Sequence, residues 1–213
     1  MQPLDRITEK LETLHKWHEG HSPLCNCPEH GFVVGHSLAE EEIQKLEKQY
    51  GLSLPEEYRV FIKQFGDVSV GPGSYFYRLQ DVISENASNP FPLEKPFLGK
   101  LSPDFQKIPE EKQWDAIVFL MREWKIIPKD HGIILLSEYS RAIYGVLIIN
   151  GPNRGNIWLY SGDAPYYGPF GGAEGLHDPS ASTEWKSTYT LKDYTFFEWY
   201  ESWLDGMLKN LTV

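Results

Sequence analysis

The chain has 213 residues, 41% of them hydrophobic, and its 20 Lys and Arg against 30 Asp and Glu leave a net charge of -10. Such a composition suits a folded domain with one sizeable core, and it argues against a disordered chain, a broad nucleic-acid footprint and adhesion to an anionic membrane. No apolar run approaches the roughly 20 residues that span a bilayer, the opening "MQPLDRITEK" lacks the basic-then-apolar layout of a secretory signal, and two cysteines do not make a secreted disulfide framework, so a cytoplasmic location is expected.

In chain order, the spacing predicts a helix over residues 3–18. Pro3 suits a first turn, and Leu4, Ile7, Leu11 and Leu14 recur three and four apart, a stripe for packing on the chain's own core. Residues 20–36 read as a polar linker that holds "HSPLCNCPEH". In it His21, Cys25, Cys27 and His30 offer four imidazole and thiolate ligands, enough to close a tetrahedral zinc site. The C-x-C spacing is tighter than zinc loops commonly use and there is no second half, so reduced, packed or solvated side chains are the first reading and zinc the alternative; no other cofactor is indicated.

Residues 37–66 read as two helices. Ser37 and Glu40 have capping-box spacing, Ile43, Leu46 and Tyr50 form a stripe, and Gly51 suits a left-handed stop. Ser53 can cap a second helix with Pro55 near its first turn, Tyr58, Phe61, Ile62 and Phe65 as its buried face and Gly66 as its end. A glycine-rich turn then leads to a strand from Ser74 to Leu79, in which Tyr75 and Tyr77 share a face. Pro90, Pro92, Pro96, Pro103 and Pro109 mark residues 84–109 as a long insert without long helices or central strands. From Glu110, the apolar positions Trp114, Ile117, Val118, Met121 and Trp124 predict a buried helix that stops near Pro128.

Three strands are expected at residues 133–137, 144–150 and 156–160, with "NGPNRG" turning the chain between the last two. Residues 161–190 read as a loop. Its Tyr166, Tyr167 and Phe170 are either exposed recognition groups or aromatics folded back over the sheet edge. A closing helix carries Phe196, Trp199, Tyr200, Trp203 and Met207 on one face, with Asp193 or Thr195 as its cap. The chain has no G-x-S-x-G, H-E-x-x-H or G-x-G-x-x-G pattern, and His131 beside Asp130 and His177 beside Asp178 read as structural or solvated, so no catalytic residue is assigned.

"LPEEYRVFIKQFG", the Gly151-to-Trp158 turn and strand, and the Phe196/Trp199 helix follow one another in an order that resembles the SUKH superfamily of SMI/KNR-like domains. That resemblance covers Ser37 to the C-terminus. It implies a single α+β domain over residues 37–213, a central mostly antiparallel sheet flanked by helices, with residues 1–36 as an N-terminal helix and linker outside the family pattern. The insert at 84–109 and the loop after Ser161 exceed the compact family layout. Members include bacterial immunity proteins that neutralise polymorphic toxins and fungal regulators of cell-wall synthesis. The resemblance therefore implies a non-catalytic protein-binding domain, first an immunity protein for a basic, nuclease-like toxin domain and second a regulatory or scaffold protein. Asp67, Tyr75, Tyr77, Asp163, Tyr166 and Tyr167 are the expected partner contacts, with no role for nucleic acid or membrane.

Overall fold

The computed structural model describes residues 2–21, 32, 34–67, 70–99, 102–140, 142–161, 166–170 and 192–211. Helix α1 (Pro3–His21) buries Ile7, Leu11 and Leu14 at the three-and-four spacing of its sequence. It lies on the closing helix α7 (Phe196–Asn210). Two ionic ties reinforce that contact: Arg6 grips Glu201 in bidentate fashion at 2.7 and 2.8 Å, and Lys10 reaches Glu201 at 2.9 Å and Asp205 at 2.6 Å.

Helices α2 (Glu40–Tyr50) and α3 (Glu56–Phe65) form as the sequence predicts, with different starts. The Ser37/Glu40 capping box is absent. The carboxylate of Glu40 is instead held by Arg59 and by Lys63, the latter at 2.8 Å, and Glu42 takes the free N–H of the N-cap residue Ala39 at 2.8 Å. Ser53 is not a helix cap either, because α3 starts one residue after Pro55; the Ser53 and Leu54 carbonyls accept from Arg154. Gly51 ends α2 in the left-handed region at φ 63°. Gly66, at φ 84°, lies so close to the backbone of His36 that a Cβ there would overlap its carbonyl oxygen. The Arg154 contacts also explain why "LPEEY" and "NGPNRG", a hundred residues apart, act together: the guanidinium of the turn is seated on the entry to α3.

Among the described residues the sheet has six antiparallel strands: β1 (Tyr75–Phe76), β2 (Ile133–Ser140), β3 (Ile143–Ile148), β4 (Asn156–Ser161), β5 (Tyr166–Pro169) and β6 (Tyr194–Thr195). Strands β1 to β5 follow in sequence order, and β6 also pairs with β4. The α+β architecture is as expected, with two corrections. The first strand is two residues long, because Leu79 already begins the short helix α4 (Leu79–Val82). Residues 166–169 are a strand and not part of a loop, since Tyr167 finds backbone partners on both sides, Tyr160 in β4 and Phe97 from the insert.

Both faces of the sheet are covered, and the period of two in the strands divides them. Ile134, Leu136, Leu147, Ile149 and Ile157 face α1, α2, α3 and α7 in the main core, where Phe61 meets Phe196 at 4.9 Å and Tyr200 at 4.7 Å between ring centroids. Ile133, Leu135, Val146, Ile148, Trp158 and Tyr167 face the other way, toward Phe91 and Phe97 of the insert and Trp124 of helix α6 (Glu110–Ile126). The proline-rich segment is thus an ordered cover over much of its length. It includes a 3-10 turn at Glu85–Ser88 and the short helix α5 (Pro103–Gln106), and it is stitched down by Phe91 N–H to the Asn150 carbonyl at 3.1 Å and Phe97 to Tyr167 at 2.8 Å in both directions.

Helix α6 is where burial departs most from expectation. The helix is present, but only Trp124 is buried; Trp114 is 72%, Phe119 61% and Ile126 74% exposed. The insert and α6 share one sheet face, and Phe91 and Phe97 already occupy much of it. Little apolar surface is left for the rest of the helix.

Candidate functional site

Cross-strand register places a row of side chains on the insert-facing side of the sheet. Tyr75 pairs with Glu138, Glu138 with Tyr144, Tyr144 with Tyr160, and Tyr160 with Tyr167. A register shift between Leu135 and Ser137 makes this possible. Strict alternation from Leu135 would turn Glu138 toward α7; the extra residue re-aims it to the opposite face, and Ser137 is buried instead. Tyr77 joins the row, donating its hydroxyl to Glu138 at 2.8 Å while its ring meets Tyr75 edge-on at 4.7 Å. Burial and then that carboxylate push the Tyr77 phenol up to about 12.

At the far end of the row Tyr160 lies between two rings, stacked on Tyr144 at 5.9 Å and on Trp124 at 5.5 Å. Next to this stack opens a cleft of about 410 Å³. Its floor is Ile133, Leu135, Tyr144, Val146 and Tyr160, and Asp81, Val82, Ser84, Lys129 and Asp130 complete its lining. Asp81 and Asp130 are exposed at the rim, and Asn86 orients the Asp130 carboxylate with a 2.6 Å hydrogen bond. Lys129 is turned inward: its ammonium stands 4.4 Å over the Trp124 ring and donates to the Trp124 carbonyl, and burial lowers its pKa. The result is a floor of three aliphatic side chains and two tyrosines, with Asp81 and Asp130 at its edge and the Lys129 ammonium on its wall; the two carboxylates suit the edge to a cationic or guanidinium group.

The sequence candidates divide accordingly. Tyr75 and Tyr77 are brought together with Glu138, and Tyr75 is 53% exposed. Tyr167 is the buried end of the same row, and Tyr166 is buried beside Leu159 with its hydroxyl donating to the Pro169 carbonyl at 2.8 Å. Both take the role of aromatics folded over the sheet, and as placed they offer no surface to a partner. Asp67 is a structural cap, accepting from Leu79 N–H at 2.5 Å and Gln80 N–H at 3.4 Å at the start of α4, with burial raising its pKa. Asp163, Cys25, Cys27 and His30 lie outside the described residues, as does the side chain of His21; among the described residues no three His, Cys, Asp or Glu are grouped to hold a metal.

Sequence reasoning missed Glu138, Tyr144, Tyr160 and Asp81, and considered Asp130 only beside His131, as a structural or solvated group. The signal available was the period of two that puts Tyr144 and Tyr160 on one face of their strands; the missing knowledge was the register shift that adds Glu138. Glu57 accepts from Phe197 N–H at 2.9 Å and steadies the start of α7.

No helix among the described residues is long and apolar enough to cross a membrane. No curated protein and no solved structure matches the chain. The family model described as SMI1 / KNR4 family (SUKH-1) matches residues 37–171, from just before α2 through β5 and therefore across the whole tyrosine row. The chain belongs to the SMI1 / KNR4 (SUKH-1) family.

Proposed function

We propose that this chain is a non-catalytic protein-binding domain, an immunity protein that captures a basic toxin domain and covers its active site. Family membership supports an immunity or SMI1/KNR4-like role in general. The observation that carries the more specific reading is the acidic-edged aromatic surface of Tyr75, Tyr77, Glu138, Tyr144 and Tyr160, beside a cleft rimmed by Asp81 and Asp130. A basic side chain of the partner enters the cleft and lies on the tyrosine stack, and the surrounding carboxylates steer its approach. The chain's net charge of -10 adds a long-range attraction that salt screens.

The test uses any toxin domain encoded in the frame beside this chain. Purified immunity protein should protect cells or substrate from that domain. Its association rate should fall as ionic strength rises, and Tyr144→Ala should weaken the complex by about 2 kcal/mol, as expected for a central aromatic contact. An unchanged affinity for Tyr144→Ala together with a salt-independent association rate would remove this surface as the binding face. A neighbouring frame without a toxin, with housekeeping proteins captured instead, would favour a regulatory role.

A further inference from the structure

Among the described residues, helix α6 leaves a continuous face without a packing partner. Gln113, Ala116, Ile117, Leu120, Met121 and Trp124 form its inner side, all half-buried or buried, while Glu111, Asp115, Val118, Phe119, Arg122 and Ile126 run along the outer side, all exposed. The outer set follows the helical period, 111, 115, 118, 122 and 126, with Phe119 adjoining. Two features set this face apart from a merely solvated one. Its centre is apolar, with Val118 40% and Phe119 61% exposed. And its charges are biased along the axis: on the stripe Glu111 and Asp115 stand in the first half and Arg122 in the second, and of the exposed charges flanking it Glu110 and Lys125 follow that bias while Lys112 and Glu123 run against it. Among the described residues none of Glu111, Asp115, Arg122 and Lys125 has an ion-pair partner, although ten such bridges form elsewhere.

A stripe with Glu111 and Asp115 before an apolar centre and Arg122 after it is complementary to itself when turned end for end. We propose that α6 is a self-association surface, on which a second copy of this chain docks its own α6 in antiparallel orientation about a two-fold axis between Val118 and Phe119. In that arrangement Asp115 faces Arg122 of the partner subunit, Phe119 packs on Val118 of the partner subunit, and each contact occurs twice because a two-fold interface is isologous. A parallel arrangement would set acid against acid and base against base. The stripe is on the side of α6 away from Trp124, the residue that stacks on Tyr160, and the inference does not depend on the toxin reading.

One 17-residue helix from each side makes a small interface, so dissociation in the micromolar range is expected, about 1–100 µM. Sedimentation velocity of the full chain across that range should show monomer passing to dimer. Asp115→Arg and Arg122→Asp should each raise the dissociation constant about tenfold or more, because each sets like charges together twice. Mixed in equal amounts, these two variants should form a heterodimer, since each then supplies the charge the other lacks. The double variant should recover self-association. Both positions are exposed, and a circular dichroism melt matching the unaltered protein establishes that the variants are folded. A protein that stays monomeric throughout the range would overturn the proposal, as would single variants that dimerise as well as the unaltered chain. If Phe119→Asp instead weakens a captured partner while the chain remains monomeric, the occupant of α6 is that partner.

Discussion

Glu201 offers the most direct test of how the terminal helices hold each other. Hydrogen bonds from Arg6, with Lys10 second, depress its carboxyl to about 2 against the usual 4.5, outweighing a burial effect that acts in the opposite direction. Taken at face value that difference corresponds to about 3 kcal/mol. The Glu201 side chain keeps 15% of its surface and Arg6 40%, so solvent screening reduces this to about 1–2 kcal/mol. Because the folded-state value lies below the unfolded one, the stabilisation is fully present above about pH 4.5 and is lost as pH falls toward 2. Glu201→Gln preserves the shape and removes the charge. It should lower the melting temperature at pH 7 by about 2–6 °C, with urea denaturation giving the same ranking. The gap between variant and unaltered protein should close between pH 4.5 and pH 2. A gap that stays constant over that interval would show that charge is not what holds α1 to α7, and a gap indistinguishable from zero at pH 7 would show that the bidentate contact contributes nothing.

Three further outcomes are expected. Gly66→Ala combines a positive φ with a Cβ that overlaps the His36 carbonyl, and urea denaturation should register a loss above about 2 kcal/mol, whereas Gly155→Ala, with open space around it, should cost only its backbone strain. Phe91→Ala removes a ring that meets Trp158 and Tyr167, each at 5.2 Å; a loss of about 3 kcal/mol is expected, and hydrogen exchange should quicken at the Phe97 and Tyr167 amides first, because these bonds fasten the cover to the sheet. For His21, Cys25, Cys27 and His30, protein purified without chelator should contain no stoichiometric zinc and its melting temperature should not respond to EDTA; a bound equivalent whose removal lowers that temperature would instead assign the four residues to a structural site.

What could be read from the chain alone was whatever depends on neighbours in sequence. The stripes of α1, α3 and α7, the left-handed stop at Gly51, the Thr195 cap with Glu198, and the aliphatic strands β2 to β4 all follow from local spacing and propensity, and the family signature follows from their order. Where a remote segment competes for a group, local rules gave the wrong partner: Glu40 goes to Arg59 and Lys63 and not to its own helix end. Spacing also shows which face of α6 is apolar but not whether anything is left to cover it; the insert had taken that place. The candidate site is of the same kind. Tyr75 and Tyr77 were visible as a pair, but their row with Glu138, Tyr144 and Tyr160 exists only because strand register and one extra residue in β2 align side chains from four strands, and register is a property of paired strands that no single strand contains.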